Sequence, residues 1–266
     1  MPDPNVSLVD IGANLGHDSF RHDLDEVLDQ ARQAGLQAIL VTGTSVDSSV
    51  RALALARHYP GFLFSTAGVH PHDADSFDRE SPARLVELAA QPEVRALGEM
   101  GLDFNRDFSP RKCQEEVFEE QLSLACELQM PVFLHERDAH GNFCAILKKY
   151  RDRLLRAVVH CFSGTREELY HYLDLDMYIG ITGWICDERR GGHLHALLKD
   201  IPADRLMLET DAPYLLPRSI LPKPAGRRNE PRYLVHVLDT VAQCLELSPP
   251  EIAARTSTTA RFFFDI

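Results

Sequence analysis

Eight short runs of aliphatic and β-branched residues, each followed by a helix-length stretch, constrain the fold of this chain more than any other feature. The runs span residues 6–11, 37–41, 62–67, 94–98, 131–135, 156–161, 177–181 and 205–210. After the first run, Leu24, Val27, Leu28, Ala31 and Ala34 recur at three-and-four spacing and stop at Gly35, as on one face of a helix. Ser81-Pro82 and Ser109-Pro110 read as helix starts, with serine as N-cap and proline in the first turn. The second of these opens a stretch with Phe118, Leu122, Ala125 and Leu128 on one face.

Strands that alternate with helices predict a parallel sheet with helical crossovers. Eight units is the number that closes such a sheet into a (β/α)8 TIM barrel, which needs about 250 residues. The 266 residues therefore predict an α/β barrel of one domain, residues 1–266. The rival is an open doubly wound sheet. It is weakened because no Gly-x-Gly-x-x-Gly turn follows the first run.

Composition narrows the class of function. No apolar run reaches the ~20 residues that span a bilayer, and residues 1–5 lack the basic start and apolar stretch of a signal peptide. A cytoplasmic protein without membrane association is expected. The six cysteines are scattered, with no Cys-x-x-Cys pair, which predicts free thiols and neither a zinc knuckle nor a disulfide framework. A formal net charge of −12 argues against broad binding of duplex DNA, which relies on many Lys and Arg contacts to phosphate. A bound divalent ion, however, supplies local positive charge where a phosphate sits.

Active sites of such barrels lie at the C-terminal ends of the strands. Polar residues collect at these ends: Asp10, Thr66 with His70, Glu99, His135, His160 and Asp211. His135 ends Pro-Val-Phe-Leu-His, and His160 repeats that placement on the next run in Ala-Val-Val-His. Adjacent strands lie about 4.8 Å apart, so both imidazoles can reach one ion. A lone histidine would as readily be satisfied by a backbone carbonyl; the pair favours ligands. Glu99 lies between glycines after a buried run, where a charge is costly unless paired or metal-bound. Asp103 is read as a loop or capping residue. Asp211 is read as a ligand or as the group that accepts a proton from water, and Glu209, deeper on the same strand face, as a supporting group. A mixed His/Glu/Asp set suits Zn, Mn or Fe and tolerates Mg when phosphate and water complete the shell. The chemistry implied is metal-assisted hydrolysis.

His70, in Gly68-Val-His-Pro-His72, is expected to contact substrate, as are the basic residues Arg137, Arg190 and Arg228 after late strands. Phosphate is often held on that side of a barrel, although charged runs are ordinarily just solvated.

Several strings resemble those of the TatD deoxyribonucleases: Asp10-Ile-Gly-Ala-Asn-Leu15, Gly98-Glu-Met-Gly-Leu-Asp-Phe104, Pro131-Val-Phe-Leu-His135 and His160-Cys-Phe-Ser-Gly164. Gly68-Val-His-Pro-His72, Gly180-Ile-Thr-Gly-Trp184, Cys186-Asp-Glu-Arg-Arg190, Glu209-Thr-Asp-Ala-Pro-Tyr214 and Arg227-Arg-Asn-Glu-Pro231 extend the similarity over nearly the whole chain. The resemblance implies an amidohydrolase-like TIM barrel and a 3′ to 5′ exonuclease that releases mononucleotides from single-stranded DNA, or RNA, ends. It implies a divalent metal, Mg2+ first with Mn2+ or Zn2+ as alternatives, ligated by Glu99, His135, His160 and Asp211. Glu99 and Asp211 would be catalytic. A role in DNA repair or degradation and a monomeric state are expected with it.

Many members of the wider superfamily carry His-x-His after the first strand, and this chain has Gly12-Ala-Asn14 there. One firmly held ion is therefore expected, with a second recruited by substrate phosphate. Two other readings share the sequence: the same barrel hydrolysing an ester, amide or aminoacyl-tRNA, and a non-catalytic scaffold. The second is disfavoured by the complete ligand set.

Overall fold

The computed structural model describes residues 6–266; residues 1–5, read above for a signal peptide, lie outside them. Eight parallel strands are hydrogen-bonded in sequence order. They are β1 (Leu8–Ala13), β2 (Leu36–Val41), β3 (Leu63–Ala67), β4 (Val94–Asp103), β5 (Val132–Arg137), β6 (Ala157–Val159), β7 (Tyr178–Ile181) and β8 (Leu206–Leu208). The helices are α1 (Leu24–Gln33), α2 (Val46–His58), α3 (Ser81–Ala89), α4 (Arg111–Leu128), α5 (His140–Tyr150), α6 (Arg166–Asp174), α7 (Gly192–Leu197), α8 (Leu234–Leu245) and α9 (Pro249–Phe264). The ring is drawn shut where β1 meets the end of β8: Asn14 N–H donates to the Ala212 carbonyl (2.6 Å) and Asp211 N–H to that of Gly12 (2.8 Å). The arrangement is the expected barrel, nearly closed.

Side chains alternate across each strand, so every second residue points into the barrel. Val9, Ile11, Ala38, Leu40, Ala96, Phe133, Val158, Tyr178 and Met207 fill it, and Ala260, Phe263 and Phe264 of α9 pack into the same cluster. Phe263 meets Tyr178 edge-on at 4.9 Å. The final helix thus plugs the N-terminal end of the barrel, and chemistry is left to the other end. One step of two residues beyond Phe133, Val158 and Met207 come His135, His160 and Glu209, which therefore sit on the roof of this apolar layer.

Helix starts are locally encoded. Ser45 with Ser48, and Thr165 with Glu168, form reciprocal caps of α2 and α6. The two Ser-Pro starts behave differently from expectation. The Ser81 hydroxyl donates to Asp78 (2.9 Å), and the Ser109 hydroxyl donates to the His72 carbonyl (2.9 Å), so each serine ties down a loop instead of a helix N–H. Among the described residues no helix is long and apolar enough to cross a membrane, and all six cysteines are free.

Strand β4 departs most from expectation. It runs past Gly98 to Asp103, with a register shift against β5 between Leu97 and Met100. Gly98 makes this possible. Its φ is +135°, and a Cβ there would collide with the Phe133 carbonyl. The shift delivers Glu99 to the barrel mouth and makes Asp103 a strand-end residue.

Candidate active site

Glu99 Oε1 lies among three imidazoles: 2.7 Å from His160 Nε2, 3.1 Å from His135 Nδ1 and 3.3 Å from His70 Nε2. His135 Nδ1 and His160 Nε2 are 3.4 Å apart. Donor atoms about 2.1 Å from one ion, and at right angles to each other, are separated by roughly 3 Å. The mutual spacings of Glu99, His135 and His160 meet that requirement, and two nitrogens with one carboxylate oxygen form a donor set that divalent ions accept. These residues fit a divalent metal.

The second nitrogen of each ring decides which of them can ligate. His160 Nδ1 lies 3.3 Å from Glu209 Oε2, so it donates there and Nε2 presents its lone pair. His135 Nε2 faces Asp103 Oδ2 at 3.5 Å, with no closer partner, and Nδ1 points to Glu99. Each of these histidines is thus backed by a carboxylate. His70 is the reverse case. Its Nδ1 accepts the His72 N–H (3.1 Å), so the neutral ring carries its proton on Nε2. His70 lies within 4.8 Å of the donor atoms of Glu99 and His135, but it is set as a hydrogen-bond donor and not as a ligand.

Protonation states follow from the same geometry. Burial, opposed by Glu99, holds His70 down at about 4, so it is neutral. Burial works against a charged Glu99, but the charge of His160 beside it, with hydrogen bonds from His135 and His160, holds it well below the usual carboxylate range. Burial likewise opposes a charge on His160 and His135. It is outweighed by Glu99 and Glu209 around His160 and by Asp103 and Glu99 around His135, so both rings are raised. In the absence of metal they hold protons against the carboxylates.

Asp211 stands at the end of β8 with a left-handed φ of 53°. Its Oδ1 accepts from Asn14 Nδ2 (3.1 Å), and its carboxyl is within the electrostatic reach of His160, Glu99, Glu209 and His135. Burial pushes it up to about 8 over the opposing charge of His160. Gly12 and Asn14 now have physical roles. A Cβ on Gly12 would lie 2.6 Å from Glu209 Oε2 and 3.0 Å from Phe133, so a side chain here would displace the carboxylate behind His160. Asn14 orients Asp211. Asp10, also at this seam, accepts from the Thr210 N–H (2.9 Å) and hydroxyl (2.5 Å), and burial pushes it up to about 7.

Asp103 is more than a turn cap. Its Oδ1 accepts from the Asn105 and Arg106 N–H groups (3.0 and 2.8 Å), while its buried Oδ2 takes His72 Nε2 at 2.6 Å and faces His135. Its place was hidden in the sequence because Gly98 and Gly101 break the alternation of β4. Arg137 and Arg190 both approach Trp184, at 5.5 and 4.5 Å from the ring centroid, on the active-site end of the barrel. Arg228 is engaged in ion pairs. Its guanidinium is filled by Asp23 (2.6 and 2.9 Å), Glu230 (2.9 Å) and the Ser19 carbonyl, which ties the segment before α1 to the one before α8.

A family model described as "TatD related DNase" matches residues 9–265. A protein of Cronobacter turicensis named "3'-5' ssDNA/RNA exonuclease TatD" is 56% identical over 257 residues, covering 97% of each chain. One of the same name from Citrobacter rodentium is 52% identical, covering 97% of this chain and 98% of its own. Among solved structures, the TatD homologue YJJV of Escherichia coli K12 superposes with a TM-score of 0.89 at 28% identity, covering 98% of this chain and 99% of its own.

Proposed function

Because the chain belongs to the TatD-related DNase family, we propose that it is a divalent-metal-dependent exonuclease that removes mononucleotides from the 3′ ends of single-stranded DNA, and of RNA. The observation that carries this reading is the triangle of Glu99 Oε1, His135 Nδ1 and His160 Nε2, with spacings of 2.7–3.4 Å.

In this reading Glu99, His135, His160 and Asp211 hold the ion, Mg2+ in the first place, with Mn2+ and Zn2+ also suited to the donors. When bound, the ion lowers the pKa of water from 15.7 toward ~7 and offsets charge on the attacked phosphate. Asp211 takes the proton of the attacking water on Oδ2, the oxygen that Asn14 leaves free. His70 would offer its Nε2–H as a hydrogen-bond donor to a phosphate oxygen. Arg137 and Arg190 hold the phosphates that follow. Arg190 is paired with Asp187 and Arg228 with Asp23 and Glu230, so either would have to leave a carboxylate to hold a phosphate, and Arg228 would have to leave two.

The net charge of −12 favours action on a strand end at the ion over engagement of a long duplex. We take residues 1–266 as one catalytic unit, monomeric and cytoplasmic, serving DNA repair or degradation. The test is nucleotide release from a single-stranded oligonucleotide with and without EDTA. Release should stop with EDTA and return with Mg2+, and His135→Ala should remove it. Full, EDTA-sensitive release by His135→Ala would refute the assignment.

A further inference from the structure

Two aromatic rings stand at the rim of this site with most of their surface in water. Phe108, between β4 and α4, is 66% exposed, and Tyr214, just after β8, is 52% exposed. Strands β4 and β8 lie on opposite sides of the ring of eight, so the two loops flank the mouth from opposite edges. The other aromatic side chains among the described residues that are more than a third exposed, Tyr170 and Phe262, are carried by α6 and α9 in the outer layer.

Each ring is one step removed from the catalytic cluster. Phe108 meets His72 edge-on at 4.8 Å; His72 is in turn 4.3 Å from His70 and 6.3 Å from His135. The Tyr214 N–H donates to the Asp211 carbonyl (2.9 Å), and its ring lies 6.0 Å from His17 in the loop after β1. The phenol is close enough to Asp211 and Glu99 for their charges to raise it, after burial. Phe108 has no core to enter, since its contact is with an imidazole that is itself bound to Asp103. An aromatic face left in water beside a nucleic-acid site is suited to stack an unpaired nucleobase.

We propose that Phe108 and Tyr214 are stacking platforms for nucleobases, bracketing the scissile phosphate with one base on either side of it. The proposal rests on the nuclease reading above and extends it to the origin of strand selectivity. Bases in a duplex are already stacked on their neighbours and paired, so only a single-stranded end can place a base on each ring. Stacking of this kind is tolerant of sequence, because every base has a π-face.

The test compares two 5′-labelled single-stranded oligonucleotides, one with normal nucleotides to its 3′ end and one whose last two positions are base-free tetrahydrofuran residues. Wild-type protein should prefer the normal end. Phe108→Ala and Tyr214→Ala should each lower kcat/KM on the normal end by about 5- to 100-fold, chiefly through KM, and bring the ratio of normal to base-free ends toward unity. Phe108→Trp should restore the preference. Variants that keep the wild-type ratio, or that lose as much on base-free as on normal ends, would overturn the stacking proposal while leaving the nuclease reading intact. A wild-type protein that digests neither end would overturn both.

Discussion

Glu209 Oε2 lies 3.3 Å from Nδ1 of His160, on the side of the ring away from Glu99. This contact sets which nitrogen of His160 carries the proton and leaves Nε2 free for an ion. Replacing Glu209 by Gln keeps an acceptor for the Cys161 N–H, now 2.5 Å from Oε1, but turns an amide toward the ring. Divalent-ion affinity should fall about 10- to 100-fold in Glu209→Gln, measured by isothermal titration. Excess metal should recover much of the rate. Unchanged affinity would show that Glu209 has only a packing role.

His70 should separate from the ligands. Its proton sits on Nε2, so His70→Ala should leave metal affinity within about threefold of wild type while lowering kcat by about 10²-fold or more, as expected for loss of a donor to developing charge. Equilibrium dialysis with Mn2+ beside steady-state kinetics distinguishes this from a ligand, whose loss would weaken both together.

His135 and His160 were legible in the sequence because each stands one alternation above an apolar residue, Phe133 or Val158, in an unbroken run. Glu209 was legible for the same reason. Asp103 was not, because β4 continues through a register shift that no local rule places. The ion pairs of Arg228 could not be read from the sequence, for a physical reason. Charge type is local, but its partner Asp23 lies far away in the chain and meets it only when the barrel closes. Asn14 and Gly12 could be read as missing imidazoles, but not as the holder of Asp211 and the space for Glu209.

Metal binding should release protons. In the metal-free protein the pKa values of His135, His160 and Asp211 are all raised, the last to about 8. Ligation requires the unprotonated groups, so affinity should increase with pH through the neutral range. The same shifts set stability. A group with a raised folded pKa stabilises the fold fully below its unfolded value, about 6.5 for histidine and 3.8 for aspartate, and loses that contribution as pH rises through the folded value. The metal-free Tm should therefore fall from pH 6 to pH 9, whereas the metal-loaded protein should vary less. A metal-free Tm that rises over this interval would contradict these charge states.

Gly12 should tolerate no side chain. Its missing Cβ keeps Glu209 Oε2 and Phe133 in place, so Gly12→Ala should cost about 1–3 kcal/mol in chemical denaturation, through overpacking. It should also weaken metal binding by moving the carboxylate behind His160. Wild-type stability together with wild-type affinity would show that the barrel wall yields more readily than its packing implies.

The most direct measurement is a time course of digestion of one single-stranded oligonucleotide labelled either at its 3′ or at its 5′ end, in Mg2+ and in EDTA. Exonuclease action centred on Glu99, His135, His160 and Asp211 predicts that the 3′ label leaves at once as a mononucleotide, while the 5′ label moves down a ladder one residue at a time. Both changes should vanish in EDTA. Release of the 5′ label first, or digestion that persists in EDTA, would contradict it.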